Sequence, residues 1–158
     1  MSKVIFRYGI IAGLIATLPW VAWMLTLPAD AKGLGALGGY VTGYLIMLVA
    51  LSMIYLGVRQ YRDKALGGHI RFGKAFLLGI GISAVASVLY ALGWEVCVAF
   101  SKFDFMAFYA RSIPDPAAAR EFIRTYSNPA YRMAYTFIEM FPVGLVVSLI
   151  CAAILRRR

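Results

Sequence analysis

Four long apolar stretches divide the chain into segments of membrane-spanning length. They run over about 4–27, 39–58, 75–100 and 133–155. About 20 apolar residues in a helix, each rising 1.5 Å, cross the hydrocarbon core of a bilayer. The pattern therefore predicts an all-α fold, an integral membrane bundle of four transmembrane helices in which residues 1–158 form a single membrane domain.

Two polar segments connect these stretches on opposite sides of the predicted bundle. Residues 59–74 form a basic loop with a Gly67-Gly68 turn signal. Residues 101–132 form a longer mixed loop, in which Asp115 can cap a helix that has Pro116 at its first position. We expect short amphipathic helices on the membrane surface in this loop. The alternative is an ordinary loop packed over the helix ends.

The composition places the chain in the membrane class, because 62% of its residues are hydrophobic and only 15% are charged. A net charge of +9 raises the question of nucleic acid, but the basic residues lie mostly at the ends of apolar spans. Anionic lipid headgroups on the cytoplasmic side are therefore the expected partner, with no nucleic acid. The residues predicted to contact them are Arg59, Arg62, Lys64, Arg71 and Lys74.

The distribution of basic residues also predicts the orientation. The two termini and residues 59–74 together hold ten basic residues against one acid, Asp63. The opposite side holds six basic residues against four acids. The positive-inside rule then places both termini in the cytoplasm. We expect a multi-pass protein of the bacterial inner membrane.

Several short motifs follow one another along the chain in a set order. They are Tyr61-Arg62-Asp63-Lys64, Gly67-Gly68, Phe72-Gly73-Lys74-Ala75-Phe76, Asp104-Phe105 and Phe141-Pro142-Val143-Gly144-Leu145. This order resembles the bacterial family called domain of unknown function 4199. The resemblance implies a small integral membrane protein of four helices. It implies no activity and no catalytic residues.

Two carboxylates lie inside the predicted spans, and such residues usually face a protein interior, a partner or water. Glu95 and Glu139 lie at similar depths on consecutive antiparallel helices, within roughly 5 Å along the membrane normal at 1.5 Å per residue. Arg132 and Tyr135 are close to Glu139 in sequence, so these four residues are predicted to form an intramembrane polar cluster. Either Arg132 neutralises one carboxylate in a structural network, or the acids form a proton or cation site lining a pathway.

Small residues recur at intervals of four, the spacing that lets membrane helices approach closely. In the third span the stripe comprises Gly79, Ser83, Ser87, Ala91 and Glu95. We interpret this stripe as a helix-packing face. The first two spans carry Gly9, Gly13, Gly39 and Gly43. These four glycines offer more small-residue surface than the packing of one four-helix bundle requires, so they predict a homodimer.

No pattern in the sequence predicts catalysis, a metal site or a cofactor. The single histidine, His69, lies in a turn without metal-spaced cysteines or carboxylates, and phosphate-binding and dinucleotide-binding motifs are missing. We expect a non-enzymatic accessory or interaction component, whose acids are satisfied within one chain. The alternative is a small ion- or proton-coupled carrier, working as an oligomer through its intramembrane acids, in which a wet cavity connects those acids to solvent.

Overall fold

The described residues fold into helices joined by short connections. The computed structural model describes residues 1–26, 36–102 and 104–156, and the side chains of residues 36–40 are not described. The helices are α1 (Ser2–Thr26), α2 (Ala36–Ala65), α3 (Phe72–Phe100), α4 (Phe105–Ala110), α5 (Pro116–Tyr126) and α6 (Pro129–Leu155). The segments Ser2–Thr26, Val41–Ala65, Phe72–Phe100 and Pro129–Leu155 are each long and apolar enough to span a membrane. The prediction of an all-α, four-span membrane bundle is confirmed.

The helices extend beyond the apolar stretches from which they were predicted. Helix α6 begins at Pro129 rather than near residue 133, because the Asn128 side chain accepts a hydrogen bond from the Ala130 amide at 3.0 Å. Proline at the first helical position loses no intrahelical hydrogen bond. Helix α2 continues through its basic residues to Ala65, where positive charge interacts favourably with a helix C-terminus.

Some predicted features lie outside the described residues. The connection between the first two predicted spans, 4–27 and 39–58, lies outside the described residues as far as residue 35, and residues 36–38 belong to α2. Phe103, Arg157 and Arg158 also lie outside the described residues.

The connection between α3 and α6 contains the two predicted short helices. The Asp104 carboxylate accepts a hydrogen bond from the Ala107 amide at 2.9 Å and begins α4. Asp115 accepts from the Ala117 amide at 3.0 Å, and Pro116 is the first residue of α5. The predicted cap is confirmed. Contact of these helices with the membrane surface stays a prediction.

Helices α1 and α3 pack closely and run in the same direction. A Cβ atom built at Gly9 would lie 2.6 Å from the Val85 Cβ, and one built at Gly13 would lie 2.6 Å from the Leu89 Cβ. Further interlocked pairs lie before and after these two, namely Gly81 with Ile5 and Gly93 with Thr17. Each step of four residues along α1 is thus matched by a step of four along α3.

This contact bears on the glycines that suggested a homodimer. Gly9 and Gly13 are buried against α3 of the same chain. Gly43 faces Trp20 of the same chain, and the surroundings of Gly39 lie outside the described residues. The homodimer stays a prediction, but Gly9 and Gly13 do not support it because they are used within one copy.

The opposite face of α3 packs against α6, which runs the other way. A Cβ atom at Gly79 would lie 2.7 Å from the Ser148 hydroxyl, and a Cβ at Gly144 would overlap the Ser83 hydroxyl. The same register continues to an ion pair between Glu95 and Arg132. The face of α3 that the stripe marked is therefore a helix–helix interface.

Helix α2 completes the bundle by lying against α1, α3 and α6. Gly57 of α2 has both Ile82 of α3 and Tyr8 of α1 within close contact distance. The bundle has two chemically distinct ends. The tryptophan end contains Trp20, Trp23 and Trp94 around Met24, Cys97 and Phe105. The basic end contains the start of α1, the turn between α2 and α3, and the end of α6.

Candidate functional site

The strongest polar contact inside the bundle joins α3 to α6 near the tryptophan end. The Arg132 Nε donates to Glu95 Oε1 at 2.7 Å, and Nη2 donates to Oε2 at 2.6 Å. Only 7% of the arginine side chain and 21% of the glutamate side chain are exposed. Paired parallel hydrogen bonds of this kind are the strongest arrangement open to a guanidinium and a carboxylate.

A third helix also holds Arg132. Its Nη1 donates to the backbone carbonyl oxygen of Tyr126 at 2.8 Å. Tyr126 is the last residue of α5, and a cation interacts favourably with the unpaired carbonyls at a helix C-terminus. One guanidinium therefore connects α3, α5 and α6 through three hydrogen bonds.

Aromatic rings surround this junction. The Tyr126 ring stacks on Phe122 at a centroid distance of 4.7 Å and meets Tyr135 edge to face at 5.4 Å. Tyr131 stacks against Tyr135 at 6.4 Å. Burial raises the pKa of the Tyr126 phenol above its ordinary value, and neighbouring Tyr135 and Glu139 raise it further. Tyr126 therefore remains neutral at physiological pH. Tyr135 lies in the aromatic layer, with 51% of its surface exposed.

The second intramembrane acid, Glu139, has different surroundings. It is half-buried on α6, about two turns beyond Arg132 at 3.6 residues per turn. Among the residues that the structure describes, none donates a hydrogen bond to its carboxylate or forms an ion pair with it.

The backbone next to Glu139 is also altered. Pro142 lies inside α6 and has no amide hydrogen. The carbonyl of Ile138, four residues earlier, therefore lacks its usual intrahelical partner. This part of α6 therefore contains both the carboxylate of Glu139 and the main-chain carbonyl of Ile138.

The structure separates the roles of the four residues predicted to form one cluster. It joins Glu95 to Arg132, and it places Tyr135 in the aromatic layer beside Tyr126. Within the described residues, Arg132 makes no ion pair with Glu139. A single site shared by Glu95 and Glu139 stays a prediction.

A comparison with protein families identifies the chain. The family model described as "Protein of unknown function (DUF4199)" matches residues 7–157. The chain belongs to the DUF4199 family. No curated protein and no solved structure matched it. The matched residues of this DUF4199 protein include both ends of the bundle and the whole of the Arg132 junction.

The basic end of this DUF4199 protein divides the five predicted lipid-contacting residues into two groups. Arg62 Nε lies 2.6 Å from Asp63 Oδ1, and its Nη1 donates to the Leu155 carbonyl at 3.4 Å. Arg59 Nε lies 3.7 Å from the other oxygen of Asp63. The second group is exposed and has no ion pair with a carboxylate among the described residues. It comprises Lys64, Arg71 and Lys74, and the Lys74 Nζ lies 5.9 Å from the Tyr61 ring centroid.

Sequence reasoning did not find two components of the Arg132 junction. One is the Tyr126 carbonyl, which becomes available because α5 ends there. The other is the start of α6 at Asn128-Pro129, which sets Arg132 one turn inside the helix. The second component had a signal, because Asn128-Pro129 resembles the Asp115-Pro116 cap that was recognised. The first had none, since every residue has a backbone carbonyl.

Proposed function

We propose that this multi-pass DUF4199 protein is a non-enzymatic interaction component of the bacterial inner membrane. The observation that carries the proposal is the bidentate pair between Arg132 and Glu95. These two side chains carry opposite charges within the spans, and the protein uses them to join α3 to α6, whereas Glu139 has no such partner among the described residues. Charged groups committed in this way stabilise a scaffold rather than act on a substrate.

The test is to identify what the protein is bound to in its own membrane. Extraction into polymer-bounded bilayer discs, followed by mass spectrometry, should recover a membrane protein in a constant ratio to this chain. The variant Arg132→Ala should lose that partner together with its fold. Recovery of the chain with lipid alone, at native expression, would contradict the proposal.

In the proposed orientation, both termini and the basic end face the cytoplasm. The charge distribution supports it, and the exposed positions of Lys64, Arg71 and Lys74 suit contact with anionic headgroups. In a background with both cysteines replaced by Ala, His69→Cys should be protected from an impermeant thiol reagent in whole cells. Ala118→Cys on α5 should react. The opposite labelling pattern would reverse the orientation.

A second candidate function is a small ion- or proton-coupled carrier. The surroundings of Glu139 favour it, because an intramembrane acid without a hydrogen-bonded partner in the described residues lies beside the helix irregularity at Pro142. Purified protein in liposomes with an imposed proton or sodium gradient provides the test. Flux that depends on protein and disappears in Glu139→Gln would establish the carrier in place of the interaction component.

A further inference from the structure

One face of α6 combines exposed apolar side chains with Glu139, the acid that has no hydrogen-bond or ion-pair partner among the described residues. Tyr135, Ile138 and Val146 are 51%, 63% and 57% exposed. With Glu139 and Pro142 they follow the spacing of three and four residues that places side chains on one side of a helix. We call these five residues the Glu139 face.

A carboxylate on this face needs a counter-charge when it is ionised in a membrane. Its own chain does not supply one in the described residues, because Arg132 uses its guanidinium on Glu95 and on the Tyr126 carbonyl. The other basic residues of the four spans lie at the basic end. Within its four spans, a second copy would therefore bring another acid to this depth and no further cation.

We infer that the Glu139 face binds a transmembrane helix of another protein, and that this helix carries a lysine or arginine at the depth of Glu139. The exposed aromatic and aliphatic side chains provide the packing surface, and Glu139 selects the partner by its charge. This inference rests on the proposed function and specifies the chemistry of the partner.

A pair of synthetic peptides tests the charge requirement directly. Each is a transmembrane helix of leucine and alanine, with either Lys or Leu at the depth of Glu139, and binding to the full chain is measured by energy transfer in liposomes. The Lys peptide should bind about three- to twentyfold more tightly, the range given by polar contacts between membrane helices. Glu139→Gln should abolish this preference, whereas Glu121→Gln on α5, where the acid is exposed, should preserve it.

A third peptide leaves the protein unaltered and therefore does not depend on the folding of a variant. With Glu in place of Lys, it should bind more weakly than the Leu peptide. Equal binding of all three peptides to the wild-type chain would overturn the inference. So would a Lys preference that persists in Glu139→Gln.

Photo-crosslinking in cells separates this inference from the proposed function. A photoreactive residue at Ile138 or Val146 should capture a partner with a basic residue in its span, and a charge exchange between Glu139→Lys and that residue should restore capture. Control positions are Leu45 and Leu48, which are exposed on α2. Capture from α2 alone, or of a second copy at Ile138, would overturn the inference and leave the proposed function standing. Capture from neither helix would contradict both.

Discussion

The two interfaces of α3 use the same four-residue spacing with different chemistry. Towards α1, glycines on each helix receive large side chains from the other, as in Gly13 with Leu89 and Gly81 with Ile5. Towards α6, small residues meet small polar residues, and the interface ends in the Glu95–Arg132 pair. The first interface depends mainly on shape, with one long hydrogen bond from the Thr17 hydroxyl to the Leu89 carbonyl at 3.5 Å. The second depends on shape along its length and on charge at one end.

The largest effect is expected from filling the α1–α3 interface. A Cβ alone at Gly13 would already lie 2.6 Å from the Leu89 Cβ, and Gly13→Leu adds three further carbon atoms there. We therefore expect its cost to exceed both the typical cost of overpacking, about 1–3 kcal/mol, and the cost of losing the Glu95–Arg132 pair. We expect most of the protein to be lost from the folded, monodisperse fraction in size-exclusion chromatography. Gly73→Leu, where a Cβ meets open space, is the matched control and should stay near wild type. A folded Gly13→Leu protein that only fails to self-associate would place Gly13 between two copies instead.

Next in size is the removal of the charge that ends the α3–α6 interface. Arg132→Ala leaves Glu95 without its cation, and breaking a buried pair from one side costs about 3–5 kcal/mol. Arg124→Ala, which removes the exposed α5 pair with Glu121 at 3.5 Å, should cost less than about 1 kcal/mol. Unfolding in mixed detergent, followed by tryptophan fluorescence, measures both. The double variant Glu95→Gln/Arg132→Gln should be more stable than Arg132→Gln, because no unpaired charge is left in it. Equal losses of stability in Arg132→Ala and Arg124→Ala would contradict the special role of the Glu95–Arg132 pair.

A smaller effect is expected at the second acid. Glu139→Gln removes no ion pair or hydrogen bond between described residues, so stability should change by less than about 1 kcal/mol. Glu95→Gln, measured in the same assay, should cost clearly more because Arg132 loses its counter-charge. If the two variants were equally destabilised, Glu139 would have a structural partner comparable to that of Glu95.

The smallest effect concerns hydroxyl groups within the α3–α6 interface. The fully buried Ser83 hydroxyl has no hydrogen-bond partner among the described residues, while Ser148 donates to the Gly144 carbonyl at 2.6 Å. Ser83→Ala should be neutral or slightly stabilising. Ser148→Ala should cost about 0.5–1.5 kcal/mol, the usual contribution of one hydrogen bond. A larger cost for Ser83→Ala than for Ser148→Ala, in thermal unfolding, would show that Ser83 has a partner after all.

The sequence predicted the helices and one packing face well, because both depend on local pattern. Apolar length determined the four spans, and the stripe from Gly79 to Glu95 marked the face that meets α6. The use of Gly9 and Gly13 was not predictable, because such a pair looks the same whether it faces another helix of the chain or a second copy. Only the parallel register of α1 with α3 decides this.

The contacts of the candidate site were likewise not predictable from the sequence alone. Depth along the membrane normal made Glu95 and Glu139 equivalent partners for Arg132. Contact of Arg132 with Glu95 depends on the rotation and register of α6 against α3, which the contacts of Gly144 with Ser83 and of Ser148 with Gly79 set. This register is a tertiary property that the spacing of residues along α6 alone does not show.

The junction at Arg132 also has a consequence for biogenesis. Chains are synthesised from the N-terminus, so α3 and its Glu95 are made before Arg132. During that interval, the acid must be tolerated by interfacial water or by the insertion machinery. The charge of Glu95 is therefore compensated only once the last span is in place. A chain that stops before α6 carries Glu95 without the counter-charge that Arg132 supplies in the finished protein.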